Sequence, residues 1–510
     1  MLGEANSLLL WTVIILLIGY FVLVTWIGKK GRQHSKSMNG FATARGKVSP
    51  WLVGASFAAS YSSANLFIGV PGLAYEYGTS VLWYTLGCFG VSWVGLLIFA
   101  KTFWRYGKKF GRVSTVPEWL GKRYNSKALQ VIVSLLILFN VYYIVGQNVG
   151  LATIFETVLG IPYFWGIIVG VTITILYIGL GGAYAQMITD GIQGLLMAIA
   201  SILIVISFFW TIGGGFNVFG ELGSKLSAID PNLTSFVGAE GPYNSVLAIM
   251  AVQFLLFSFI LMPHLLNKIL SIETEEELAP FTLSSGLVLF VISTLMVLGG
   301  LAARVLFPAL ESADAAIPAY VIESFPSIIA AIMIVGIISA ILSSTDSLYL
   351  GVTTSIGNDF YRILAPVFKK GITAAKLESQ SVKVAKGSLI VVGLLSLYIS
   401  LDRPDSLSIL IQFSFSAILS GILAPISLGY FWKKATNYGA IGAVISGAGL
   451  YVVFTQLNVI ENIYLAMFFA SLVSFAVMIV IGLLTATQEH EDMVLKKANR
   501  STTNESEINA

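Results

Sequence analysis

The sequence predicts an all-α integral membrane protein with thirteen transmembrane helices, ten of them forming two inverted five-helix repeats. Three observations predict this. The composition is 56% hydrophobic against 11% charged over 510 residues, thirteen apolar stretches are long enough to cross a bilayer, and two of those stretches are interrupted in matching positions. Soluble globular chains carry about 25% charged residues, so a soluble fold is excluded. One Cys, Cys88, leaves no disulfide framework and no Cys-rich metal centre. Of three His, two (His34 and His490) lie in polar flanks, which removes a multi-His metal site.

A bilayer core takes about 20 mainly apolar residues per helix. The stretches run over roughly 8–28, 51–76, 80–100, 129–156, 163–181, 188–213, 245–267, 281–306, 327–357, 384–401, 407–431, 438–457 and 463–486. Residues 1–7 hold no basic group and one acid, Glu4, so the first stretch reads as helix 1 and not as a cleaved signal peptide. With the N-terminus outside, 26 of the 29 Lys and Arg fall on the cytoplasmic side, and only Lys225, Arg304 and Arg403 lie opposite. This bias sets the orientation by the positive-inside rule, with the C-terminus in the cytoplasm. Residues 1–486 read as one transmembrane domain, with repeat one over about 51–213 and repeat two over about 245–431; the polar stretch 487–510 reads as a disordered cytoplasmic tail. In the loop 101–128, Thr115, Pro117 and Glu118 spell a capped helix start, expected on the membrane surface.

Helix 2 carries Gly69-Val-Pro-Gly72 after the small polar run Ala59-Ser-Tyr-Ser-Ser-Ala-Asn65, and helix 7 is interrupted at Met262-Pro-His264. Freed backbone groups are tolerated in hydrocarbon only where they are buried in protein or line a cavity. Helices 2 and 7 cross in opposite directions and each opens a five-helix unit. That arrangement fits inverted-repeat transporters, which bind solute and ions at such breaks.

Two carboxylates fall within spans, Asp190 and Asp346, each costing roughly 2.5–3.5 kcal/mol at a bilayer centre. Asp190 reads either as a functional acid or as a cytoplasmic helix cap with Gln193. Asp346 sits in Ala340-Ile-Leu-Ser-Ser-Thr-Asp-Ser347, where residues 340, 343, 344 and 347 share a helical face. Hydroxyls and carbonyls gathered there make a hard oxygen site suited to an alkali cation. No Lys or Arg is expected in the middle of any span. Polar groups near the breaks, Ser63, Asn65, Gln147 and Gln253, together with Phe259, are the candidate solute pocket.

Four segments together carry a resemblance: Ser60 to Gly78; Gly181-Gly-Ala-Tyr-Ala-Gln-Met-Ile-Thr-Asp190 with Gln193; Pro263-His264; and Ala340 to Ser347 followed by Asn358-Asp-Phe-Tyr361. Over nearly its whole length the chain resembles the sodium/solute symporter family. The resemblance implies the bacterial leucine-transporter fold for helices 2–11. It also implies a sodium ion held by the carbonyls of Ala59, Ser62 and Ala340 and the hydroxyls of Ser343 and Ser344. Some members hold a second sodium at positions matching Asp190, Ser343, Asp346 and Ser347, one of which is a hydroxyl in those members and Asp346 here. Tyr75 to Gly78, Gln147, Glu156-Thr157, Gly160 to Tyr163 and Met262-Pro-His264 resemble most the sodium/pantothenate permease branch. Tyr61 and Phe259 differ from the acid and the Tyr typical of the proline branch.

The implied function is electrogenic, sodium-coupled import of a small organic solute, a carboxylate such as pantothenate, across the inner (plasma) membrane. Sodium is the coupling ion. The partners implied are the solute and the lipid bilayer, with no nucleic acid and no obligate protein partner. Two other readings stay open: a proton-coupled transporter using Asp190 and Asp346 as relays, and a membrane-embedded transferase using the Glu273, Glu275, Glu276, Glu277 cluster.

Overall fold

The computed structural model describes residues 7–486, apart from Arg112, Lys370, Asp405 and the side chains of Tyr177 and Thr294. The expected disordered tail, 487–510, lies outside the described residues. Every regular element among the described residues is helical. In chain order the principal helices are α1 (Ser7–Gly31), α2 (Pro50–Tyr61), α3 (Val70–Tyr77), α4 (Ser92–Lys109), α5 (Asn140–Leu159), α6 (Tyr163–Ile212), α7 (Val246–Phe259) and α8 (Pro263–Ile269). They continue with α9 (Leu278–Leu306), α10 (Ser327–Ser355), α11 (Ala374–Ser400), α12 (Leu407–Phe431), α13 (Asn437–Gln456) and α14 (Ile463–Ala486).

Burial sorts these helices into an inner and an outer set. Nearly the whole circumference of α10 is buried, Ala340 to Ser355 without exception, whereas α1 and α11 expose Trp11, Ile15, Val22, Ile390, Val391 and Leu394. Apolar side chains exposed in one stripe of a hydrophobic helix are what a bilayer covers. A helix buried all round must instead satisfy its hydroxyls internally. Accordingly Thr345, Ser347, Thr353 and Thr354 of α10 each donate to a carbonyl four residues back, at 2.6 to 3.0 Å.

Among the described residues, ten helices are long and apolar enough to cross a membrane, or eleven when α7 and α8 count as one bent span. Two pairs of expected stretches are less separate than the sequence suggested. Asn65 to Lys109 runs on as one apolar helical stretch, because short 3₁₀ and π turns and not a polar loop divide it. The stretches at 163–181 and 188–213 likewise run together within α6. Between them the chain leaves helical geometry at Gly182, where φ is 56° and ψ is −152°. A Cβ at Gly182 would stand 2.9 Å from the Phe41 carbonyl oxygen, so both the backbone angle and the space require glycine.

The two interruptions are real, and one lies elsewhere than expected. α2 stops at Tyr61, Ser62 leaves helical geometry (φ −85°, ψ 72°), and the chain resumes at Asn65 with a π-helical turn to Gly69. The unwinding is therefore at Ser62–Ser63 and not at Gly69–Gly72. Pro71 falls in the first turn of α3, directly after the π turn, where its missing N–H and its ring are accommodated. The second interruption matches expectation: Met262 is extended (ψ 134°), Pro263 opens α8, and α7 and α8 meet at a 44° bend.

α9 packs along both halves of the first broken helix. Ser284 donates to the Trp51 carbonyl at 2.8 Å and Ser285 to the Gly54 carbonyl at 3.2 Å, both on α2. Further along, Gly300 lies so close to α3 that a Cβ there would stand 2.2 Å from the Pro71 carbonyl oxygen. The Thr115 cap forms as read, accepting from the Glu118 N–H at 3.2 Å. Its helix, Val116–Arg123, packs against the rest of the protein: Trp119 and Leu120 are buried, and Thr115 donates to Asp359 at 2.7 Å.

Candidate ion and solute site

Ala59, Ser62, Ala340, Ser343 and Ser344 are all fully buried where α2 unwinds against α10. The Ser344 hydroxyl donates to the Ser60 carbonyl at 2.9 Å, and the Ser347 hydroxyl lies 2.6 Å from that of Ser60. These contacts bring the two halves of the proposed ligand set together. The hydroxyl oxygens of Ser62 and Ser343 have no hydrogen-bond partner among the described residues. A buried hydroxyl without a partner costs about 1–3 kcal/mol, so such a pair beside unwound backbone suits the candidate ligand site.

Asp190 is neither a cytoplasmic cap nor a free acid. It is fully buried inside α6, and its Oδ2 accepts from Lys268 Nζ at 2.6 Å, Ser56 at 2.9 Å, Ser60 at 3.1 Å and Gln186 at 3.1 Å. Gln186 also reaches the Ser347 hydroxyl. No Lys or Arg was expected in the middle of a span; Lys268 brings a buried ammonium to Asp190 from the end of one. Lys268 stands in the last turn of α8, where its position at the edge of the apolar run reads as loop. The 44° bend turns that short half-helix inward, and the side chain is 97% buried, with an exposure of 3%. Asp346 is fully buried on α10, and Tyr20 of α1 lies within electrostatic reach of both Asp190 and Asp346. Asp190 and Ser347 are joined through Ser60 and Gln186; Asp190's immediate partner is the Lys268 ammonium.

The solute candidates fall into two places. Gln147 of α5 accepts the Ala64 N–H at 3.0 Å, Asn65 donates to the Tyr84 hydroxyl at 2.9 Å, and Ser63 accepts the Asn65 N–H at 3.2 Å. Phe259, at the end of α7, packs edge-on to Tyr61 (centroids 4.7 Å apart) and Phe415 (4.8 Å), with His264 at 6.4 Å. These four gather around the two breaks. Gln253 stands apart, part-buried and donating to the Trp83 carbonyl at 2.8 Å. Neither nitrogen of the buried His264 has a partner among the described residues, nor does Gln147 Nε2, so buried polar atoms near the breaks are left unpaired there.

Ser408 and Gln412 of α12 belong to this cluster and were not singled out by the sequence. Ser408 donates to Asn65 Oδ1 at 2.7 Å, and Gln412 donates to Ser408 at 2.5 Å. Gln412 in turn lines a cleft that also takes in Glu76, Tyr77, Asn244 and Tyr464. The signal that could have found the pair is their i, i+4 spacing, two polar side chains stacked on one face of an otherwise apolar helix. The Glu273–Glu277 cluster forms no paired-acid centre: Glu275 takes Lys101 at 2.9 Å and Arg105 at 2.6 Å, and Glu277 accepts the Glu273 N–H at 3.0 Å.

The model of the sodium:solute symporter family matches residues 41–447. The sodium/pantothenate symporter of Haemophilus influenzae is 29% identical over 432 residues, covering 83% of this chain and 84% of that one. The sodium/pantothenate symporter of Escherichia coli is 27% identical, covering 88% and 91%. The sodium/proline symporter of Staphylococcus aureus is 25% identical, covering 87% and 86%. Among solved structures, a sodium-coupled sialic acid symporter in a substrate-bound outward-open state superposes with a TM-score of 0.75 at 19% identity, covering 96% and 98%. A closed nucleobase-cation-symport-1 family transporter superposes with a TM-score of 0.57 at 13% identity, covering 88% and 95%. The all-helical fold is that of these leucine-transporter-like proteins, and the match across most of the sequence identifies a multi-pass membrane transporter, not an enzyme. The chain belongs to the sodium:solute symporter family.

Proposed function

We propose that this protein imports a small organic carboxylate with sodium by alternating access, and that pantothenate is the first solute to test. The observation that carries the reading is the junction at Ser62–Ser63, where unwound backbone and the partnerless buried hydroxyl of Ser62 lie by α10, which carries Ser344 and the partnerless buried hydroxyl of Ser343. Sodium is the cation that the family's name supplies and that hard oxygen ligands suit. The solute would lie beside it among Ser63, Asn65, Gln147 and Phe259, with Gln253 further along the path. Pantothenate is favoured over proline by the higher identity to the two pantothenate relatives.

In this reading thirteen crossings put the N-terminus outside and the C-terminus in the cytoplasm, and α2–α6 and α7–α12 contain the two inverted repeats. One charge moving through about 100 mV supplies about 2.3 kcal/mol. At about 1.4 kcal/mol per tenfold, that alone concentrates solute about 40-fold before any sodium gradient acts. Uptake of labelled pantothenate and, in parallel, proline into proteoliposomes tests the reading. Accumulation should follow an inward sodium gradient and be absent with potassium. Accumulation driven by an imposed pH gradient without sodium would support the proton-coupled alternative.

A further inference from the structure

We infer that Lys268 is a built-in cation that fills the Asp190 pocket, so that only one mobile sodium ion binds to the protein. The inference rests on the sodium-coupled reading above and goes on to the number of ions.

The Lys268 ammonium has four oxygens around it: the Ser56 carbonyl at 2.9 Å, the Ser56 hydroxyl at 2.5 Å, the Ser60 hydroxyl at 2.6 Å and Asp190 Oδ2 at 2.6 Å. Its three N–H donors are therefore saturated by protein oxygens. A carboxylate, a carbonyl and two hydroxyls form the kind of oxygen shell that holds a hard cation. Here the cation is covalently attached to the chain, through a side chain with 3% exposure.

The surrounding hydrogen bonds point the same way. Asp190 is fully buried, and Lys268 is the buried base beside it. Ser60 joins the two regions, since its hydroxyl meets Lys268 and Asp190 while its carbonyl accepts from Ser344. A resident ammonium thus occupies one pocket and shapes the edge of the next. Removing it should open the Asp190 pocket to a second sodium.

The test is equilibrium binding of radioactive sodium to the purified full-length protein in nanodiscs. Wild type should bind one ion per chain, and Lys268→Gln should bind two, with the Hill coefficient for sodium rising from about 1 towards 2. Lys268→Arg, which keeps a tethered cation, and the double variant Lys268→Gln/Asp190→Asn should each return to one. A wild-type count of two, or a folded Lys268→Gln that still binds one, overturns the proposal. A wild-type count of zero overturns sodium coupling itself and the proposal with it. Should Lys268→Gln be unstable, its melting temperature is compared in sodium and in choline. Recovery specific to sodium supports the proposal; failure to recover in sodium while the double variant folds overturns it.

Discussion

The hydroxyl of Ser344 and the carbonyl of Ser60 meet at 2.9 Å, in place of a hydrogen bond that a continuous helix would make for itself. In an unbroken α2 the Ser60 carbonyl would accept from the Ala64 N–H. That N–H goes instead to Gln147 at 3.0 Å. Side chains from α5 and α10 thus take up the two ends of one missing backbone bond, which makes the break a stable feature of a buried site. It also ties a sodium candidate, Ser344, and a solute candidate, Gln147, to the same turn.

Ser343→Ala and Ser344→Ala are each expected to raise the sodium concentration for half-maximal uptake about tenfold, the equivalent of about 1.4 kcal/mol for one lost oxygen ligand. Sodium titration of uptake at fixed solute reads this directly. Unchanged half-maximal sodium in both variants would remove the ligand assignment.

Asn65→Ala and Gln147→Ala should raise the half-saturating solute concentration more than the half-saturating sodium concentration, the former by about tenfold for one lost buried hydrogen bond. Gln147→Glu keeps an acceptor for the Ala64 N–H and should spare the backbone while still disturbing solute. The comparison is made by paired titrations in one proteoliposome preparation. Equal shifts for solute and sodium would move both residues out of the solute pocket.

Asp314 gives a pH dependence with a defined sign. It lies in the loop between α9 and α10, where burial pushes its carboxyl up to about 6, opposed by the Leu407 N–H at 3.3 Å and by Arg403 and reinforced by Glu76. Because the packed loop favours the protonated acid, the stabilisation is fully present below about pH 4, near the ordinary Asp value, and is lost as pH rises through about 6. Hydrogen exchange in residues 307–315 should therefore be slower at pH 4.5 than at pH 7.5, after correction for intrinsic rates. Asp314→Asn should flatten that difference, and an unaltered difference in the variant would rule Asp314 out as its source.

Gly182→Ala should destabilise the fold by several kcal/mol, since it places a side chain at positive φ and 2.9 Å from the Phe41 carbonyl oxygen. Thermal unfolding in detergent would register this as a large fall in melting temperature. A fall no greater than that of Gly179→Ala, whose added Cβ would meet only Leu389 at 3.6 Å, would contradict the strain argument.

Much of the arrangement was legible because hydrophobic length and small polar runs are local properties. Ser343, Ser344 and Ser347 could be placed on one face from spacing alone, and Met262-Pro263 could be read as a break because proline cannot continue the preceding ladder. The position of the first break was legible only to within a few residues. Whether Pro71 kinks a helix or opens one depends on the π turn before it, and that depends on the contacts of Ala64 and Asn65 with other helices. Lys268 was the larger omission. It stands at the edge of an apolar run like any loop lysine, and its partner is 78 residues away in sequence. Only the folded backbone shows that the short helix after the bend points it at Asp190.

α9 has a mechanical consequence for the cycle. By gripping Trp51 and Gly54 on one side of the interruption and lying against Pro71 on the other, it splints the fractured helix along its length. The gap at Ser62–Ser63 should therefore not serve as a free hinge between two swinging stubs. α2, α3 and α9 should travel as one raft, and access should alternate by that raft rocking against α10 and α5, with the proposed ion site lying on the seam between the moving and the stationary parts.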